Sequence, residues 1–464
     1  MATLKPFAAL RPKPELASQI CELPYDVMSS DEARALAAGN PLSFLHVSKP
    51  EIDLPPATDI HSSEVYAKGK ENFARLIAEG ALQQDGQPNF YLYRQIMSTL
   101  RSAATEDGGK HAQTGLVAAA SCEEYLHNLI KKHELTRPDK EDDRVRHIEA
   151  LNSQTGPVFL TYRAVETFDA FVAKKISESP AVDFTGKDGV RHTSWIISSA
   201  EEISFVETQF AQIPFLYIAD GHHRSAAAAR VYLQRNVAAG VSPAVEPGIL
   251  PGGTDRQNST THDNFSARPG GKLPPSMAGG TPAATGAGHS GQFLTVIFPH
   301  NQMQILPYNR VLKDLNGLTP QELLKKLEEV FHIVRMGTAV PTRKHELGLY
   351  MNKRWHTLTF KPKLTTLNDP IEQLDVTLLQ KQILAPVFGI DDPRTSNKIN
   401  FVGGIRGTAE LEKLVNSGEY ACAFSMFPTS IEDLMSIADA GGIMPPKSTW
   451  FEPKLRDAMF CHMI

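Results

Sequence analysis

Five consecutive apolar residues, Phe215-Leu216-Tyr217-Ile218-Ala219, run directly into Asp220-Gly221-His222-His223-Arg224 and then into Ser225-Ala226-Ala227-Ala228-Ala229-Arg230. The first stretch has the length and composition of a buried strand. The alanine-rich stretch is a strong helix former. A buried strand turning at once into a helix predicts an α/β layer, strand inside and helix above. Asp220 is placed to cap the helix, and Gly221 permits the tight turn. Such a helix start directs free N–H groups and a positive dipole end outward, a setting suited to phosphate. Two histidines and an arginine are misplaced there, because cations favour the opposite end. A bound anion repairs the mismatch. The competing reading makes Asp220 a cap only and the histidines hydrogen-bonded surface residues.

The rest of the chain alternates in the same way. Ser29 caps an expected helix over 31–38, which Gly39-Asn40-Pro41 ends, and 65–78 carries apolar residues at helical spacing. Strands are expected over 90–96, 114–119, 157–162, 194–198 and 293–298. Thr319-Pro320-Gln321-Glu322 opens a further helix with a capping box. Residues 347–361 read as a hairpin turning at Asn352-Lys353, and 374–384 as an amphipathic helix. A strand over 420–427 and a helix over 430–440 follow. The mixture predicts an α/β to α+β fold.

Between 241 and 292 the periodic pattern stops and Gly, Pro, Ser and Thr dominate. Such a segment buries too little surface to offset chain entropy, so a mobile, disordered insertion is expected. It divides an N-terminal α/β region, 1–240, from a C-terminal α+β region, 293–464, packing on it. At 464 residues the chain exceeds one ordinary core. A formal charge of −5 leaves no overall electrostatic footprint for nucleic acid. Four scattered cysteines, no signal-type h-region and no apolar run of about 18 residues together predict a cytoplasmic protein.

A second constellation, Lys131 to Arg144, is dense in both charge signs. A solvated helix face accounts for most of it. Glu134 and Glu141 remain open, to act as a base and a Mg²⁺ ligand or to serve structure alone. Arg144 is able to meet a phosphate or carboxylate bidentately. Arg11 and Asp26 lie beside prolines and read either as turn residues or as substrate contacts. For Asn309-Arg310 a structural ion pair is expected. Near the end, Lys447-Ser448-Thr449 offers phosphate donors, with Trp450 and Phe451 to anchor the tail. A docked C-terminus explains that run equally well.

The run Ile218-Ala219-Asp220-Gly221-His222-His223-Arg224-Ser225-Ala226-Ala227 resembles the nucleotide-binding motif of the ParB/sulfiredoxin superfamily. Within it, the chain is similar to the bacterial and archaeal family catalogued as domain of unknown function 1015. The similarity is carried also by Phe7 to Pro12, Leu23 to Val27, His133 to Thr136 with Lys140 to Arg144, and Met444 to Lys454. It implies a ParB/sulfiredoxin-like nucleotide-binding core and ATP- or ADP-dependent, Mg²⁺-assisted phosphorylation of a small hydroxyl compound, free L-serine foremost. In that reading Glu134, Asp220, His222 and His223 are catalytic. Gly221, His222, His223 and Arg224, with Lys447, Ser448 and Thr449, bind nucleotide phosphates. Arg11, Asp26 and Arg144 bind the acceptor, and Glu141 holds the metal. A non-catalytic nucleotide-binding regulator is the alternative, and a zinc hydrolase built on His222 and His223 a third.

Overall fold

The computed structural model describes residues 2–98, 109–238, 291–366 and 368–464. The expected insertion lies outside the described residues except at its end, where Gln292 already begins a strand.

Nine strands form a large mixed sheet. Its order is Ile130–Lys131, Leu216–Asp220, Val158–Tyr162, Gln292–Pro299, Lys110–Ser121, Phe90–Ser98, Arg191–Ile197 and Val182–Thr185. Leu4–Lys5 adds antiparallel to Lys110–Ser121. Two neighbour pairs are parallel, Ile130–Lys131 with Leu216–Asp220 and Val158–Tyr162 with Gln292–Pro299. Alternation along these strands shows why they read as continuous apolar runs. Tyr91, Val117, Phe159, Tyr217 and Val296 enter one core, while Leu92, Leu116, Leu160, Ile218 and Ile297 enter another on the opposite face. Both faces are buried, so no polar alternation survives in the sequence.

The strand Gln292–Pro299 comes after the insertion in the chain yet sits in the middle of this sheet. A second sheet of six antiparallel strands follows, built from residues 308–312, 331–335, 346–351, 354–360, 399–403 and 422–425. Its inner side chains, among them Leu347, Leu349 and Phe424, join the core under Tyr91 and Tyr217.

The local signals appear where the capping and turn chemistry placed them. Ser29 and Glu32 form a capping box on Ser30–Ala37, and Thr319 and Glu322 form another on Pro320–Leu327. Asn352 and Lys353 both take positive φ, +51° and +60°, in the two-residue turn of the 346–360 hairpin. The 374–384 segment departs from a plain helix: after Asp375–Leu379 it widens into a π turn over Gln380–Leu384. Arg310 also departs from expectation. It is buried and donates to the carbonyls of Tyr308 and Lys447, with no carboxylate partner among the described residues. Among these residues no helix is long and apolar enough to cross a membrane.

Candidate functional site

The strand Leu216–Asp220 ends at Asp220, and the helix His222–Ala238 begins two residues later. Gly221 makes the turn at φ +94°, and a Cβ there would lie 3.1 Å from Arg224 Nε. Only glycine satisfies both conditions. Asp220 closes the strand more than it caps the helix. Its Oδ1 accepts from the Gly221 amide at 2.8 Å, and its Oδ2 accepts from Lys454 Nζ at 3.0 Å. Burial works against this carboxylate, but Lys454, Arg224 and the Gly221 amide outweigh it and hold Asp220 below the usual carboxylate range.

The positive charge of the turn is smaller than its composition implies. Burial drives the His222 imidazole well below its ordinary proton affinity, and the neighbouring His133 adds to this. His223 moves the same way, again through burial, and its Nε2 accepts the Arg137 amide at 3.1 Å. The one full positive charge in the turn is Arg224, which donates to the Pro157 carbonyl and lies 3.9 Å from Asp220 Oδ1. Its Nε has no hydrogen-bond partner among the described residues.

Glu134 reaches this turn from the loop after Ile130–Lys131. Its Oε2 lies 3.8 Å from His222 Nδ1. The side chain is 47 % exposed, yet the space it faces is the cavity, whose walls enclose it. That enclosure raises the carboxyl's proton affinity, as does Asp220, while Lys447 opposes the rise. His133 precedes it, buried, its ring edge-on to His222 at 4.5 Å between centroids. Burial lowers the His133 imidazole to about 4.

These groups line a cavity of about 950 Å³. Asp26, Arg144, Lys447, Ser448, Thr449 and Lys454 share its wall with Glu134 and the 220–224 turn. Arg144 lies 3.7 Å over the Tyr25 ring and donates to Asp143 at 2.6 Å and 3.0 Å, so its fork is already in use. The Ser448 hydroxyl donates to the Pro445 carbonyl. The tail is held here by the Met444 amide on the His133 carbonyl and by Trp450, which stacks on Tyr308 at 5.1 Å.

Two residues expected at the site lie elsewhere. Arg11 is bidentate to Asp85 at 2.7 Å and 2.9 Å, outside the cavity lining. Glu141 accepts from Thr136 and from Arg230, and it too is absent from the lining. Conversely, Lys454 and His133 stand at the centre with no role read for them from sequence. Both belong to the runs that carry the family resemblance, which was the available signal. Asp457 had no such signal. It is buried near Arg224 and Arg144, and burial raises its carboxyl to about 7 against the pull of both arginines.

The family model described as "Protein of unknown function (DUF1015)" matches residues 4–247 and 275–377. The chain belongs to this family. The match breaks within the Gly/Pro-rich segment and ends before the tail that carries Lys447 and Lys454. No curated protein matches the chain. Among solved structures it is similar to "Free serine kinase in complex with AMP", at 13% identity and a TM-score of 0.32, covering 73% of this chain and 86% of that one. It is similar also to a conserved hypothetical protein from Pyrococcus furiosus, at 12% identity and a TM-score of 0.31, covering 74% and 93%. A third is SbnI with C-terminal truncation from Staphylococcus aureus, at 8% identity and a TM-score of 0.36, covering 75% and 87%.

Proposed function

We propose that the chain is a nucleotide-dependent kinase of a small hydroxyl metabolite, with free L-serine the acceptor that the family resemblance implies. The observation carrying this reading is one cavity that joins a phosphate-type wall to a carboxyl of raised proton affinity. The wall is the amide end of His222–Ala238 with Arg224, Lys447 and Lys454; the carboxyl is Glu134. The volume accommodates a nucleotide and a small acceptor together.

In this reading the acceptor oxygen attacks the terminal phosphorus while Glu134 accepts the hydroxyl proton. The bond from phosphorus to the departing nucleotide oxygen breaks. The amides of Gly221 to His223 and the Arg224 guanidinium hold the charge that spreads over the phosphoryl oxygens. His222 is neutral, so it serves as a hydrogen-bonding partner of that group and adds no charge. Asp26 faces the same space as a candidate acceptor contact, whereas the Arg144 fork is already held by Asp143. Mg²⁺ would screen the phosphates. Glu141 faces Arg230 and Thr136, so Asp26 is the carboxylate better placed to meet the ion.

Phosphorus NMR of the full chain with Mg-ATP or Mg-ADP and L-serine tests the reading. O-phosphoserine should accumulate, and Glu134→Gln should cut turnover about 10²- to 10⁴-fold while nucleotide affinity stays within a few-fold. Tight nucleotide binding without transfer to serine or any other hydroxyl compound would return the chain to a regulatory nucleotide-binding module.

A further inference from the structure

The inner wall of the cavity carries three side chains whose chemistry exceeds what phosphate needs. One nitrogen from each of His133 and His222 and one oxygen of Glu134 lie within 4.8 Å of one another. The parallel pairing of Ile130–Lys131 with Leu216–Asp220 brings them together, since each strand delivers its histidine just past its end. The histidines are 2 % and 4 % exposed. Each keeps a buried ring nitrogen with no hydrogen-bond partner among the described residues, Nδ1 of His133 and Nε2 of His222. Buried polar atoms are normally paired, and the unpartnered Nδ1 of His133 calls for an explanation; on His222 it is Nδ1 that faces Glu134 Oε2, at 3.8 Å.

We propose that His133, Glu134 and His222 form a binding site for one divalent transition ion of the Zn²⁺ or Co²⁺ class. Two imidazoles and a carboxylate suit such ions far better than Mg²⁺, which prefers oxygen donors throughout. Bonds of about 2.0–2.2 Å require the three donor atoms to close to about 3.3 Å of one another. Glu134 is free to supply much of that movement, because its carboxylate makes no hydrogen bond among the described residues and faces open cavity. Three protein ligands leave at least one coordination position open. Reactive centres, in contrast to structural ones, keep such a position. This site goes beyond the kinase reading and differs from it over Glu134, which cannot be a metal ligand and a free base at once.

The full chain, stripped of metal with a chelator, is titrated with Co²⁺ and followed by visible absorption, and Zn²⁺ is then added as competitor. One equivalent should bind and be displaced by Zn²⁺. His133→Gln and His222→Gln should each weaken binding at least tenfold, with His223→Gln unchanged because its Nε2 takes the Arg137 amide. Absence of a bound-Co²⁺ spectrum, or binding undiminished in both variants, overturns the proposal. Melting curves report folding. If a histidine variant does not fold, Glu134→Gln, altered at a half-exposed side chain, decides by the same tenfold criterion. None of these readouts uses turnover, so failure of the metal site leaves the kinase reading standing, and the reverse also holds.

Discussion

Asp220 and Lys454 meet at 3.0 Å across 234 positions of chain, and this pair ties the tail to the turn. Removing the lysine leaves a carboxylate that is mostly enclosed and still faces Arg224. Lys454→Met should therefore cost about 1–3 kcal/mol, less than a fully buried pair because Asp220 keeps 30 % exposure. Adding Asp220→Asn should recover part of that loss, which chemical denaturation of both variants would measure. Recovery would show that the single variant suffers from an uncompensated charge and not from lost packing. Gly221 was readable because a strand meeting a helix across a single residue leaves a tight turn, which glycine permits. The neutrality of His222 was not, because it depends on burial by segments distant in the chain, with His133 packed against the ring adding to the effect.

At the level of elements, capping boxes and turn residues were readable because their partners lie three residues apart or closer. Ser29 with Glu32 and Thr319 with Glu322 are such cases. The 346–360 hairpin offers a test of that local control. Lys353 sits exposed at φ +60°, a conformation glycine adopts without strain. Lys353→Gly should stabilise the chain by about 0.5–1 kcal/mol, seen as a modest rise in melting temperature. The helix Pro138–Leu151 shows the opposite situation. Its sequence is so charged that it reads as a solvated face, yet Val145, His147, Ile148 and Leu151 are buried against neighbours. Nothing in the local pattern announces that burial, because a narrow apolar stripe is enough when a second helix, His222–Ala238, covers it.

For the whole molecule, buried titrating groups set how stability follows pH. Burial lowers His147 to about 4, with Arg144 adding to the effect. His192 is also driven well below its ordinary value, through burial and then Arg456, whose Nε donates to the ring Nε2 that only a neutral imidazole leaves free. Between about pH 4 and 6.5 the unfolded chain carries protons that these folded histidines refuse. Stability should therefore rise with pH across that window, by on the order of 3 kcal/mol for His147 alone. Asp457 works in the other direction. Its folded carboxyl keeps a proton up to about pH 7, so its contribution falls as pH rises from 3.8 to 7. Asp457→Asn should make the pH dependence steeper by roughly one proton, and melts at pH 5, 6 and 7 would check this. Read alone, the sequence determined the mixed α/β character, the caps and hairpin turn, and an anion-suited turn at Asp220 to Arg224, because each rests on neighbours along the chain. Tertiary structure alone decided that Gln292–Pro299 enters the middle of the large sheet and that Lys454 answers Asp220. It also decided that Arg11 and Glu141 turn away from the cavity and that His133 and His222 meet there. Those outcomes depend on contacts between distant segments, whose geometry and desolvation no local pattern encodes.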